Sequence, residues 1–141
     1  MPSTLESKVI KAPVEQIWDK FNNFHDISWA AKVLTSCEKV GELDGDAVGA
    51  KRLLNGAIHE TQTEINPDNY TLRYSIDDGP SPISSDDVSN FIATVQLSPL
   101  PDGSGTLVKW GSRWDSNSDD AVSFCSGIYA ALLNELAESF V

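Results

Sequence analysis

The sequence lacks most of the features that would place it outside the ordinary globular proteins. Its 141 residues contain only two cysteines, Cys37 and Cys125, which lie far apart and form no CxxC pair. No apolar run approaches the ~20 residues that cross a bilayer, and no secretory signal precedes the first strand. A chain of this length buries enough surface to fold without disulfides or a structural metal. We therefore expect a single cytoplasmic domain over residues 1–141, with both thiols reduced.

Positive charge is also scarce. Ten Lys and Arg residues stand against 21 Asp and Glu residues, which gives a formal net charge of -11. The basic residues are scattered and form no run. Because such a chain repels phosphate backbones and anionic lipid head groups, we expect neither nucleic acid nor membrane insertion among its interactions.

Short motifs that bind cofactors or metals are missing as well. The sequence has no GK[ST], GxGxxG, GxSxG or HExxH motif, and its two histidines, His25 and His59, have no zinc-like spacing. The four aspartates Asp77, Asp78, Asp86 and Asp87 flank a Gly-Pro-Ser-Pro turn and lack the spacing of a calcium loop, which favours a solvated loop. We expect no cofactor and no metal site.

The apolar spacing predicts helices at both ends of the chain. After a first strand near Leu5 to Lys11, Pro13 begins a short helix whose apolar side chains recur at helical spacing from Val14 to Phe21. Asp26 suits the N-cap of a second short helix that runs to Lys32. Ser118 and Asp119 precede a long terminal helix with one apolar face.

Between the helices, turn residues separate six runs of strand length. The predicted strands cover residues 33–40, 47–55, 57–65, 70–76, 88–97 and 106–114, and their close spacing favours an antiparallel meander. No linker or repeat interrupts this order. The pattern predicts an α+β fold with about seven strands, two short helices after the first strand and a long C-terminal helix.

This order and several motifs resemble one family. The motifs include Ala12-Pro13-x-x-x-x-Trp18, Trp29, Gly49-Ala50-Lys51-Arg52, Glu60, Asn66-Pro67, Leu72-x-Tyr74, Pro82, Phe91-Ile92-Ala93-Thr94, Gly105-Thr106, Trp110 and Gly127. Together they resemble the polyketide cyclase/dehydrase-like branch of the START/Bet v 1-like superfamily over nearly the whole chain. The resemblance implies a helix-grip fold, in which a curved antiparallel sheet wraps around the C-terminal helix and encloses a cavity for a small, mostly apolar molecule.

Strand alternation indicates which side chains face that cavity. Leu72, Tyr74 and Ile76 share one face of their strand, and Val108, Trp110 and Trp114 share one face of another. Apolar positions on the terminal helix and the family motifs complete the set. The candidate ligand-binding residues are Trp29, Leu54, Tyr74, Phe91, Trp110, Trp114, Ile128 and Leu132.

Val48, Ala50, Arg52 and Leu54 share one face of their predicted strand, which we expect to point inward. A guanidinium at this position requires a carboxylate, carbonyls or an anionic ligand. A two-residue loop at Asn55-Gly56 would place His59 opposite Arg52, whereas a three-residue loop would place Glu60 there. We favour the longer loop because it also pairs two apolar residues and because relatives carry an inward Arg and Glu on these strands. Arg52 and Glu60 are therefore the candidate catalytic residues.

Three functions are compatible with this pattern. In an enzyme, Arg52 would hold a carbonyl or enolate oxygen while Glu60 moves a proton in a cyclisation, dehydration or isomerisation. In a carrier or sensor, the same cavity would bind a hydrophobic ligand or lipid without reaction, beneath a loop at residues 78–87. In an interaction module, the cavity would be collapsed and the acidic surface would meet a basic partner. The sequence leaves the oligomeric state open.

Overall fold

The computed structural model describes residues 2–141 as one antiparallel sheet with two α-helices and a 3-10 turn on its concave side. The elements occur in the order β1 (Ser3–Ile10), α1 (Val14–Phe21), the 3-10 turn Ser28–Ala30, β2 (Cys37–Val40), β3 (Lys51–Leu54), β4 (Ile58–Asn66), β5 (Thr71–Asp78), β6 (Ser89–Pro99), β7 (Thr106–Asp115) and α2 (Asp120–Glu138). The seven strands are ordered β1-β7-β6-β5-β4-β3-β2. The fold class and the helix-grip arrangement predicted from the sequence are confirmed.

Alternation along β7 shows why one sheet face supports a core. Val108, Trp110 and Trp114 are buried, while Lys109 and Arg113 are exposed on the opposite face. Helix α2 covers the buried face with Cys125, Tyr129, Leu132, Leu133 and Leu136. Burial of these complementary apolar surfaces is the main favourable free energy of the fold.

The second short helix predicted after Asp26 is wrong in length. Asp26 does act as a local cap, because its Oδ1 accepts a 3.0 Å hydrogen bond from Ser28 N. The turn ends at Ala30, whose carbonyl accepts from both Val33 N and Leu34 N. Those bonds close the segment as a compact turn, so strand β2 begins at Cys37 and not at Val33 as predicted.

Strand β3 also begins later than predicted, at Lys51, because Gln62 holds the preceding segment as a loop. The Gln62 side chain is fully buried, and its Nε2 donates 3.0 Å bonds to the carbonyl oxygens of Gly45 and Ala47. Val48, expected on the inward face, is consequently 62% exposed. A polar side chain at this inward position thus serves to anchor a loop.

A β-bulge explains a further departure from simple alternation. If alternation continued along β4, Glu64 would face inward with Glu60 and Gln62. The pairing with β5 shifts between Gln62 and Glu64, so Glu64 lies opposite Arg73 and forms an ion pair with it, half-exposed. The extra residue reverses the side on which the strand's later residues point. Glu64 therefore stays out of the interior.

Two glycines provide a matched test of this packing. A Cβ at Gly105 would lie 2.5 Å from the backbone oxygen of Ile10, whereas a Cβ at Gly127, in the interior of α2, would meet no atom within 4 Å. We expect Gly105→Ala to lower the free energy of unfolding by about 1–3 kcal/mol through overpacking. Gly127→Ala is expected to raise it by about 1 kcal/mol through helix propensity. Urea denaturation of both variants measures the two effects, and equal stability of the two variants would contradict the packing described.

Candidate ligand cavity

A small apolar cavity lies between the sheet and helix α2. Its enclosed volume is about 50 Å³, which is room for about three water molecules. Most of its walls are hydrophobic, and the polar groups converge on one side. The lining includes Phe21, Phe24, Ile27, Trp29, Arg52, Leu54, Glu60, Tyr74, Ile83, Trp110, Phe124, Cys125, Ile128, Tyr129 and Leu132.

The principal polar feature of the cavity is an ion pair between Arg52 and Glu60. Arg52 Nε and Nη2 lie 2.8 and 2.7 Å from the same oxygen, Glu60 Oε1. The two residues are only 9% and 4% exposed. Charge-assisted hydrogen bonds at such short distances offset part of the cost of removing both charges from water.

The β3-β4 hairpin brings these two side chains together. Asn55 and Gly56 adopt φ values of 54° and 66°, and Ala57 adds a third loop residue before β4. This loop pairs Leu54 with Ile58 and Arg52 with Glu60. The three-residue loop favoured from the sequence is confirmed, and His59 faces the exposed side of the sheet.

Phe24 completes the environment of the guanidinium. Its carbonyl accepts a 2.9 Å hydrogen bond from Arg52 Nη1, and its ring centroid lies 3.8 Å from Arg52 Cζ. A guanidinium has five N–H donors, and the contacts within residues 2–141 engage three of them through Nε, Nη2 and Nη1. Two N–H donors of Arg52 therefore have no acceptor among the described residues.

Burial governs the protonation of Glu60. Loss of solvent raises the pKa of this carboxyl above its ordinary value, and the attraction of Arg52 offsets only part of that rise. One carboxylate oxygen, Oε1, takes both bonds from Arg52. Glu60 is thus held in a position from which a proton can be gained or lost next to a fixed positive charge.

Two buried tyrosines add hydroxyl groups to the cavity lining, and the Tyr74 ring centroid lies 5.3 Å from Arg52 Cζ. Trp110 Nε1 donates a 3.0 Å bond to the Tyr74 hydroxyl, and the Tyr129 hydroxyl lies 3.0 Å from Ser112 Oγ. Burial raises the pKa of both phenols above the ordinary value. It also raises the pKa of the Cys125 thiol to about 12, so these three groups are neutral hydrogen-bonding groups at neutral pH.

The structure brings together six of the eight residues expected to contact a ligand. The residues found in the lining are Trp29, Leu54, Tyr74, Trp110, Ile128 and Leu132. Phe91 and Trp114 are buried elsewhere and stack on each other with ring centroids 5.1 Å apart. Strand alternation correctly predicts that the side chains of Phe91 and Trp114 are on the buried face of the sheet. It does not predict how far along each strand the cavity extends.

Several lining residues were missed by the sequence reasoning. Phe24 lies in an irregular segment, so no periodicity indicates its direction. Ile83 lies in the loop between β5 and β6 and is only 2% exposed. Tyr129 follows Ile128 on α2 and also lines the cavity. Its hydrogen bond to Ser112 becomes visible only when α2 and β7 are placed together.

Other candidate groups lie outside this cavity. His25 Nε2 is 2.9 Å from the carbonyl oxygen of Lys51, so the ring ties a loop to β3. Within residues 2–141, no three His, Cys, Asp or Glu side chains are grouped as metal ligands. The same range contains no helix that is long and apolar enough to span a membrane.

The comparisons with known proteins agree with this geometry. The family model for polyketide cyclase/dehydrase and lipid transport proteins matches residues 1–141, and the chain belongs to that family. No curated protein matches the chain.

Three solved structures show how widely the fold is shared. A Nitrosospira multiformis protein is 40% identical, with a TM-score of 0.96 over 99% of this chain and 97% of its own. The XoxI protein of Bacillus cereus is 23% identical, with a TM-score of 0.82 over 99% and 96%. Ginseng major latex-like protein 151 from Panax ginseng is 12% identical, with a TM-score of 0.79 over 99% and 97%. The last two similarities concern the fold alone.

The buried pair makes a prediction about stability. Arg52→Met leaves the Glu60 carboxylate buried without its partner and is expected to cost about 3–5 kcal/mol. The double variant Arg52→Met/Glu60→Leu removes both charges and should recover most of that loss. Chemical denaturation measures both values. A double variant as unstable as the single one would show that the two side chains are not energetically coupled.

The raised pKa of Glu60 predicts a pH dependence with a definite sign. The folded protein binds the proton of the Glu60 carboxyl more tightly than the unfolded chain does. The stabilisation that this proton gives the folded state is therefore complete below the ordinary carboxyl pKa of 4.5. The contribution is lost as the pH rises through the folded pKa. Glu60→Gln, which stays neutral, should therefore gain stability relative to the wild type as the pH is raised from 4 to 7. A difference that does not change, or that changes in the opposite direction, would contradict this assignment.

Proposed function

We propose that the protein binds a small, largely apolar molecule between the sheet and α2, with an oxygen of that molecule on the guanidinium of Arg52. The observation that carries the proposal is the buried Arg52–Glu60 pair beside an apolar cavity, with two N–H donors left unengaged by residues 2–141. A few convergent polar groups within apolar walls are typical of sites that orient a hydrophobic ligand. The membership in a family of cyclases, dehydrases and lipid transport proteins supports the same class of ligand.

The size of the cavity requires that binding be accompanied by opening. Ligand pockets usually enclose about 300–1,000 Å³, whereas this one encloses about 50 Å³. Four of the half-buried apolar lining residues lie outside the sheet, and we call them the rim: Ile27, Trp29, Phe124 and Ile128. Movement of the rim and of Ile83, which lies in the β5-β6 loop, enlarges the cavity without breaking the sheet. The closed form is then one state of an equilibrium that a ligand shifts.

The chemistry available at the pair supports a reaction of a carbonyl compound. Arg52 stabilises negative charge that develops on a carbonyl oxygen, because its position is fixed by Phe24 and Glu60 before the ligand arrives. Glu60, with its raised pKa, transfers a proton to or from an adjacent carbon or oxygen. A cyclisation, dehydration or isomerisation needs no other group, and we propose these as the reaction types.

A non-catalytic carrier or sensor is the second candidate. The family description includes lipid transport, and the neutral Tyr74, Cys125 and Tyr129 provide a wall compatible with a lipid or aromatic guest. Binding then uses the same cavity and the same opening. The two candidates differ in whether a product leaves the site.

Tryptophan fluorescence tests the binding proposal directly, because Trp29 and Trp110 line the cavity. We expect saturable quenching with at least one of three probe classes: aromatic polyketides, flavonoids or fatty acids. Loss of a charge-assisted hydrogen bond should weaken binding to Arg52→Met/Glu60→Leu by about tenfold or more. Arg113→Met, a change on the exposed face of the same sheet, is the matched control and should bind as the wild type does.

Two outcomes would contradict the binding proposal. Equal affinity of the double variant and the wild type would show that the pair does not anchor the ligand. The lack of any saturable response would favour the collapsed interaction module. Product analysis with the best binder then separates enzyme from carrier, because Glu60→Gln should retain binding and lose turnover by about 10²–10⁴-fold if Glu60 transfers the proton.

A further inference from the structure

Strand β1 lies at one end of the sheet and pairs with β7 alone. Trp114 N donates to Pro2 O, and the register runs from this pair through Thr4 opposite Ser112 and Glu6 opposite Trp110. In an antiparallel ladder, alternate residues direct their N–H and C=O groups to the same neighbour. The even-numbered residues of β1 therefore bond to β7, and the backbone groups of Leu5, Ser7 and Val9 point away from the sheet.

We propose that two copies of this chain associate by pairing these β1 edges antiparallel about a two-fold axis. No other hydrogen bond within residues 2–141 reaches the outward backbone groups of Leu5, Ser7 or Val9. An edge strand of eight residues with free donors and acceptors is a template for a second strand. The second copy supplies a strand of the same length and twist.

Charge decides the register of such a pair. The outward backbone groups meet only when odd-numbered residues face odd-numbered residues, so the axis passes through a residue of β1. An axis at Glu6 places Glu6 opposite Glu6 of the partner subunit, and an axis at Lys8 places two lysines opposite each other. An axis at Ser7 places Glu6 opposite Lys8 of the partner subunit, twice by symmetry. Opposite charges directly across two strands stabilise pairing and like charges oppose it.

The same register matches the apolar residues on the exposed face. With the axis at Ser7, Leu5 lies opposite Val9 of the partner subunit in a hydrogen-bonded pair. Leu5 and Val9 are 63% and 50% exposed in the single chain. Pairing covers both residues, so the register chosen by charge is also the one that buries apolar surface.

Helix α2 is compatible with the approach of a second copy. Ser126 Oγ donates to Glu6 Oε1, so this side of α2 lies beside β1. The neighbouring positions Ser123, Gly127 and Ala130 carry small side chains, and a Cβ at Gly127 would meet no atom within 4 Å. Small residues let two helices approach closely when the strands beneath them pair.

Light scattering coupled to gel filtration tests the proposal on the full chain. The wild type should elute with twice the 15.3 kDa mass of the chain at high concentration and dissociate on dilution. Lys8→Glu and Glu6→Lys each place like charges opposite each other and should raise the dimer dissociation constant by about tenfold. The exchanged double variant Glu6→Lys/Lys8→Glu should restore the dimer. Lys51→Glu, on the exposed face of β3 at the far side of the sheet, is the matched control and should not change association.

Ser7→Pro supplies an independent variant, because it removes an N–H that points away from β7 and spares the existing ladder. Circular dichroism confirms that each variant is folded. A wild type that stays monomeric up to its solubility limit would overturn the proposal. The proposal would also be overturned if a folded Ser7→Pro variant still formed the dimer. The same holds if the exchanged variant Glu6→Lys/Lys8→Glu were folded but stayed monomeric.

Discussion

Removal of the Arg52 guanidinium from water is the constraint on which the interior depends. A buried guanidinium stays protonated, so fixed groups must meet the need to balance its positive charge. Glu60 meets it from the next strand, which requires the three-residue hairpin loop, and the Phe24 carbonyl meets it from the segment after α1. One side chain therefore couples the hairpin register to the position of the irregular segment that closes the cavity. An apolar residue at this position would leave both free to vary.

The small volume of the cavity follows from the same arrangement. Phe24 lies over the guanidinium at 3.8 Å, and Trp110 stacks on Tyr129 with centroids 5.5 Å apart. These contacts fill space that a ligand would otherwise occupy, and they give the closed form much of its packing energy. A ligand must replace them with contacts of its own. For the proposed binding function, affinity is therefore a difference between two well-packed states.

The sequence predicted the fold class, the strand count, the terminal helix and the Arg52–Glu60 pairing, because these depend on periodicity, turn residues and burial of charge. It did not predict the bulge that turns Glu64 outward, since one added residue leaves no compositional trace. The loop role of Gln62 was missed for a related reason. The Gln62 side chain donates to the backbone carbonyl oxygens of Gly45 and Ala47. Every residue has such a carbonyl, so the residue types in the sequence do not indicate these bonds. Local pattern thus fixes which face a strand buries, and long-range hydrogen bonds decide where each strand begins.

Opposite sides of α2 separate the two proposed activities. Phe124, in the rim, and Ser126, beside β1, are two positions apart on the helix, and at about 100° per residue their side chains point in nearly opposite directions. The cavity thus opens on the side of α2 away from the β1 edge. Association of two chains through β1 leaves both rims accessible to ligand. It also restrains β1 and the paired strand β7, which contributes Trp110 to the cavity lining, while the 3-10 turn and the β5-β6 loop remain able to move. Pairing at β1 therefore restrains the sheet edge next to β7 and leaves free the segments that must open.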